Sequence, residues 1–428
     1  MTPGPKRTGW WLFLIALLYF IALIFPNARG AQSERMLLVT SLDEPVTYQY
    51  VVRMLTPASD FKDLFSRWVL YGDYHYGYPF YFFSALAVLP VRLIYGAEFT
   101  NYTALNLLLL RQAISVLPML LAILLLVYEQ TRFRTLWQSL ALTAVMFLVP
   151  AFVRNHLQWW HPDALSVLAV TLVLVFLRRD DLRFGRFFWL AAAACGVAVG
   201  IKFAGVFFFL TIPIYLFMGY RQKRLTLPQV FTKGALFVVV ALLALVLSNP
   251  FLYNEGARQE LMRIQTEKVE VLGSGYEDAS PYYQKGPAFW KWTLSTWYGH
   301  PLFLAFLGLS LLVGCLRGPN QRFNGLILTY ILPQAVYLLW FVSVKPDHYW
   351  LPVMVPLFST ALTLPTALVE GWFPAVSRRA WLRRGLLALL VAVLMAQSAV
   401  FLLRPYSGVI AQVQNAMHIE EIYYDSSR

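Results

Sequence analysis

GALFVVVALLALVLSNP, residues 234–250, decides the class of this protein. Seventeen residues pass without a charge. A helix rising about 1.5 Å per residue would carry them across most of a bilayer's hydrocarbon core, roughly 30 Å thick. Comparable runs recur along the whole 428-residue chain, in which 59% of residues are hydrophobic and 13% charged. Soluble domains carry about 25% charged residues, so there are too few charges here to coat two or three soluble exteriors. The sequence therefore predicts an all-α polytopic membrane protein, one transmembrane domain over residues 1–428. Intrinsic disorder, a nucleic-acid-binding module and a disulfide scaffold are excluded. The two cysteines, Cys195 and Cys315, both lie in apolar runs and read as free thiols.

Eleven spans follow from the runs: 10–26, 107–127, 137–153, 163–178, 187–200, 203–219, 234–250, 299–316, 324–343, 351–368 and 385–403. The spans at 187–200 and 203–219 meet at Gly200-Ile201-Lys202-Phe203 and read as a tight hairpin. The apolar segment Tyr78–Tyr95 is not counted, because counting it would invert every later loop. With a cytosolic N-terminus, the cytosolic segments then hold 18 lysines and arginines, while the short loops opposite hold only Arg154, Lys202 and Lys345. That bias obeys the positive-inside rule, and Tyr78–Tyr95 is expected to lie in the outer leaflet. The net charge of +13 is accordingly topology signal and contact with anionic membrane lipids, with no nucleic-acid partner.

Polar residues gather on the outer side. The first long external segment, 27–106, contains Leu42-Asp43-Glu44-Pro45 ahead of an amphipathic stretch, Val46–Leu55. A second amphipathic stretch, Asp60–Leu70, follows, and then the aromatic run Tyr74-His75-Tyr76-Gly77-Tyr78-Pro79. The second long external segment, 251–298, reads as a flexible lid or acceptor loop. Three short turns carry Arg154 through Asp163 (with Trp159, Trp160 and His161), then Lys202, then Lys345-Pro346-Asp347-His348-Tyr349. Shared sidedness predicts that they converge on one outward-facing cavity, although aromatic and polar residues also belong at any membrane interface. The spacing of His156, His161 and Asp163 fits no standard ligand pattern on one helix face, so no metal is expected. There is no glycine-rich phosphate loop and no Gly-x-Ser-x-Gly elbow.

In order and sidedness these motifs resemble the GT-C superfamily of membrane glycosyltransferases, in particular the branch of protein O-mannosyltransferases and lipid A aminoarabinose transferases. The likeness rests on Asp43-Glu44 after the first span, the His75-Tyr76 aromatic run, Arg111 opening the second span and His161-Pro162-Asp163 opening the fourth. It also rests on Gly196-x-x-x-Gly200-x-Lys202 between spans five and six, and on His348-Tyr349-Trp350-Leu351-Pro352 late in the chain. A Gly-Tyr pair between His75-Tyr76 and a single proline departs from the family pattern.

The resemblance implies an enzyme of the bacterial inner membrane, active on its outer face. It would move a hexosyl or pentosyl group from a polyprenyl-phosphate sugar donor to a hydroxyl of a lipid, glycan or protein acceptor, inverting the anomeric carbon, with no cofactor. Such chemistry needs a carboxylate base for the acceptor proton, for which Asp43 is the choice with Glu44 beside it; a plain helix cap is the competing reading of that turn. It also needs cations against the departing phosphate. Lys202 leads there, against the alternative of a lysine snorkelling to the headgroups. Arg111, Asp163, His75, His161, Lys345, His348 and Tyr349 complete the expected donor and substrate site. The competing function is a transporter or flippase for a lipid-linked or polar substrate, but polar residues fall at span ends rather than span centres.

Overall fold

The computed structural model describes residues 4–41, 43–276, 283–367 and 407–425, with the isolated positions 385 and 388. The described residues contain helices and turns and no strand. Six stretches are long and apolar enough to cross a membrane: Pro5–Asn27, Tyr78–Thr131, Ala204–Arg221, Leu227–Ser248, Gln321–Phe341 and Asp347–Ala367. Between them stand Leu136–Phe147, Asp163–Asp180, Arg186–Lys202 and Pro301–Leu316. Ten of the eleven expected spans thus correspond to described helices, and the eleventh, 385–403, falls outside the described residues.

The Asp163–Asp180 helix is the axis of the bundle. It packs against Leu117–Thr131, Arg186–Lys202 and Leu351–Phe358, and its Val167, Val170, Val173, Leu174 and Leu177 are fully buried. By contrast the Leu227–Ser248 helix buries only Phe237 and shows bare leucines and valines along its length, as a lipid-facing span should. It begins seven residues before the expected 234. A capping box of Thr226 and Gln229 starts the helix at Leu227, and Lys233 lies over the Trp189 ring at 4.9 Å instead of ending the span. Small residues let this helix approach its neighbour: a Cβ on Gly196 would come within 2.0 Å of the Ala241 carbonyl oxygen.

The Tyr78–Tyr95 helix packs against the amphipathic Glu44–Leu55 helix. Its first residue donates from the backbone to Asn249, and its Arg92 donates to the carbonyl of Leu55, at the end of the amphipathic Glu44–Leu55 helix. Thr103–Leu110 then leads through a π turn, Arg111–Val116, into the Leu117–Thr131 helix that runs to the opposite end. The second long segment departs from the expected loop. It is a twenty-residue helix, Glu255–Ser274, capped by Asn254 and lined with i,i+3 and i,i+4 pairs of Arg263 to Glu260 and Glu267. Pro287–Trp297 follows and bends by 94° into Pro301–Leu316.

We call the end bearing Asp43, His161 and Lys202 the site end, and the one bearing Arg132, Arg134 and Arg317 the arginine end. A helix over residues 407–425 closes the site end: buried Glu420 accepts from the backbone of Gly30 at 2.6 Å and pairs with Arg29 at 3.0 Å.

Candidate active site

The 159–163 turn is fixed from below by an ion pair. Arg111 grips Glu44 with two nitrogens, at 2.9 and 2.5 Å, and turns its remaining donors to the carbonyls of Asn27 and Arg29. The π turn that begins at Arg111 widens the helix where this guanidinium enters, and such insertions gather at functional sites. Glu44 also accepts from the backbone of Trp160 at 2.8 Å, and both ionised side chains are fully buried. Arg111 and Glu44 therefore satisfy each other and hold the turn; neither opens onto a ligand surface.

On that base the chain of contacts is continuous. The Tyr76 hydroxyl meets His161 Nε2 at 2.7 Å, His161 Nδ1 bonds Asp163, and the other oxygen of Asp163 accepts from Lys202 Nζ at 2.5 Å. Burial holds His161 below the usual histidine range, against the pull of Asp163. The neutral ring then carries its proton on Nδ1, facing the carboxylate, and Nε2 accepts from Tyr76. His348 lies 5.2 Å ring to ring from His161, and Trp159 flanks both rings. Lys202 sits 5.3 Å from the face of Tyr349. Arg154 joins Asp347 at 2.5 Å, tying the 154–162 turn to the 345–349 turn.

Lys202 reaches this position because the backbones beneath it touch. A Cβ on Gly77 would lie 1.4 Å from the carbonyl oxygen of Gly200, and one on Gly200 would meet Asn249 at 2.3 Å. Phe203 then takes a left-handed conformation, φ 53°, to reverse the chain after Lys202. The Gly-x-x-x-Gly-x-Lys spacing is thus a packing seam whose end delivers the lysine.

Asp43 stands apart. Its side chain caps nothing, and among the described residues no hydrogen bond or ion pair reaches its half-buried carboxylate. It lies close enough to Tyr76, His161 and Tyr349 for its charge to act on all three. His75 is turned the other way. It is half exposed and pairs with Asp73 at 2.6 Å, and Asp73 also accepts from Tyr81. Burial opposes the Asp73 charge, but those hydrogen bonds hold its carboxyl below the usual range. Lys345 is buried under the Pro287–Trp297 helix, where its ammonium donates to the Ser343 carbonyl at 2.5 Å. The structure thus gathers Asp43, His161, Asp163, Lys202, His348 and Tyr349, and sets Glu44, Arg111, His75 and Lys345 around them.

Lys268 escaped the sequence reading because helix 255–274 was taken for a loop. Its ammonium donates to the carbonyl of His75 at 2.7 Å and lies 5.1 Å from the Tyr76 ring. Burial and the nearby Lys202 charge push its pKa down to about 8. Ligand atoms of His161, Asp163 and His348 also lie within 4.8 Å of one another, which is metal-binding reach. Both Asp163 oxygens already have partners, so an ion there would have to displace Lys202.

No protein-family model and no curated protein sequence matches the chain. Its fold nevertheless matches solved structures. ArnT from Cupriavidus metallidurans bound to undecaprenyl phosphate aligns over 96% of this chain and 77% of that one, with a TM-score of 0.55 and 14% identity. The archaeal oligosaccharyltransferase AglB from Archaeoglobus fulgidus, in complex with an inhibitory peptide and a dolichol-phosphate, aligns over 93% and 55%, with a TM-score of 0.54 and 12% identity. The present chain spans about half the length of that oligosaccharyltransferase. At these identities the likeness is one of fold alone.

Proposed function

With this shared fold and the GT-C-like order of the motifs as premise, we propose that the protein is a glycosyltransferase that moves a hexosyl or pentosyl group from a polyprenyl-phosphate donor to an acceptor hydroxyl. The site end would face outward from a bacterial inner membrane, with the N-terminus in the cytosol. The observation that carries this reading is Asp43: a half-buried carboxylate with no described partner, beside a cluster whose other acids are all paired.

In the step, the acceptor O–H gives its proton to Asp43 while its oxygen forms the new bond to the anomeric carbon from the face opposite the phosphate. The anomeric C–O bond breaks, and its electron pair leaves on the polyprenyl phosphate. Lys202 and Lys268 face that developing charge, and preorganised cations at such a point are among the largest catalytic effects. His161 orients both Tyr76 and Asp163, while Tyr349 and Trp159 offer flat faces to a sugar. Glu44 and Arg111 act as positioning residues.

A transporter would place charged groups and broken helices at mid-bilayer. Here the charge network sits at one end, which favours the enzyme. The test is mass spectrometry of lipids that copurify with the protein. A polyprenyl-phosphate sugar is expected with the wild type and strongly depleted with Lys202→Met. Equal retention by both proteins would sink the donor assignment, and substrate flux across proteoliposomes without transfer would sink the enzyme.

A further inference from the structure

A cavity of about 540 Å³ opens at the arginine end, across the bundle from the site. Arg134 reaches it from the turn before the Leu136–Phe147 helix, Arg178 from the last turn of Asp163–Asp180, and Arg317 from the turn after Pro301–Leu316. Among the described residues no carboxylate lines it. Nearby Glu129 pairs with Arg132 at 2.5 Å and approaches Arg179 at 4.0 Å. Among the described residues Arg134, Arg178 and Arg317 have no ion-pair partner. The Arg178 Nε is buried without an acceptor, which costs free energy until one arrives.

Sidedness alone accounts for arginines at this end, but it would leave them splayed into water. It does not call for three from separate elements converging on one hollow, one of them half-buried with its Nε shielded from water. The wall is mixed: Leu142 and Leu362 continue it toward the apolar core, so a bound molecule would have an anionic part and an apolar part. Basic pockets between spans on the cytosolic side suit phosphate-bearing lipid headgroups.

We propose that this cavity binds the phosphate of an anionic phospholipid from the adjoining leaflet, with half-buried Arg178 as the inner contact and Arg134 and Arg317 at the mouth. The site is separate from the donor site, and such a lipid would tie the ends of the Leu136–Phe147, Asp163–Asp180 and Pro301–Leu316 helices together.

The test titrates the full-length purified protein with phosphatidylglycerol or phosphatidylcholine and counts bound lipid by native mass spectrometry. Phosphatidylglycerol should bind and phosphatidylcholine should not. At about 1 kcal/mol per basic residue near an anionic headgroup, the triple variant R134Q/R178Q/R317Q should bind on the order of 10²-fold more weakly. The comparison variant R221Q/K223Q/R224Q removes three cations at the same end but outside the cavity, and should bind as the wild type does. Should the triple variant fold poorly, Arg178→Gln alone is expected to weaken binding about fivefold. Wild-type affinity in these variants, or an equal loss in the comparison variant, would overturn the site. Displacement of the lipid by inorganic phosphate at the same concentration would overturn its assignment to a lipid.

Discussion

At the site end, Asp163 is held by His161 and Lys202, Glu44 by Arg111, and Asp73 by His75 and Tyr81, while Asp43 is left with no described partner. At the arginine end the imbalance has the opposite sign: Glu129 is taken, and Arg134, Arg178 and Arg317 are left over around a cavity. A single free base amid paired acids suits proton abstraction. Several free cations with no base suit holding an anion. The two ends differ less in how much charge they carry than in which sign remains unpartnered.

The contrast is broken most sharply at Asp43. Asp43→Asn keeps shape and removes only basicity, and since the side chain caps nothing its loss should leave the unfolding midpoint unchanged. Transfer should drop by roughly 10²–10⁴ in a steady-state assay, whereas R134Q/R178Q/R317Q at the other end should leave turnover near wild type. Normal transfer by Asp43→Asn would move the base elsewhere.

Arg111→Met strands the buried Glu44 charge and should cost about 3–5 kcal/mol in denaturant unfolding. The double variant E44Q/R111M should recover part of that loss, because no ion is then left uncompensated. An Arg111→Met protein as stable as wild type would mean that the pair does not hold the turn.

Lys202→Met removes one charged hydrogen-bond donor. Donor-lipid affinity and turnover should fall together by about 10–10²-fold, from roughly 1.5–3 kcal/mol for a bond to a charged group. A drop in turnover alone would place Lys202 on the acceptor side.

A pH titration sharpens the reading of Lys268, whose pKa is lowered to about 8 in the empty protein. Its charge is present below that value and disappears above it, so donor affinity should weaken as pH rises through about 8, and Lys268→Met should flatten the profile. Stability has the reverse sign. Between about 8 and the ordinary lysine value the unfolded chain binds more protons than the folded one, so the empty protein gains stability as pH rises.

The smallest effect expected is none: activity should survive EDTA. Loss on chelation, restored by a divalent ion, would make His161, Asp163 and His348 ligands and Lys202 a stand-in for the metal.

The spans were legible because apolar length and positive charge are one-dimensional quantities. Ten of the eleven runs reappear as helices, but not always whole: the cap at Thr226 moves one start, and the run 137–153 is split into Leu136–Phe147 and Pro150–Asn155. Placing Asp43, Asp163 and Lys202 at one end needed only the parity of the crossings. Their separate fates did not follow from it. Asp43 and Glu44 are chain neighbours of the same charge, yet one helical step turns Glu44 inward to a guanidinium 67 residues further on. Lys268 was missed for the opposite reason. Gly273-Ser274-Gly275 makes 251–298 look like a loop, yet the charged residues ahead of it form the i,i+3 and i,i+4 pairs of an exposed helix. His348 joins His161 and Asp163 from another element, so no spacing rule along one helix could have found that cluster.

The bond between Gly30 and Glu420 closes a circle of 390 residues at the site end. A chain emerging from the ribosome delivers Gly30 first and Glu420 only after every described span has been made. Until then the backbone N–H of Gly30 and the guanidinium of Arg29 lack this acceptor, and the layer above the membrane stays unlatched. Assembly of the site is in this sense scheduled: a product truncated before Glu420 would hold every described span and still lack the latch that closes the site end.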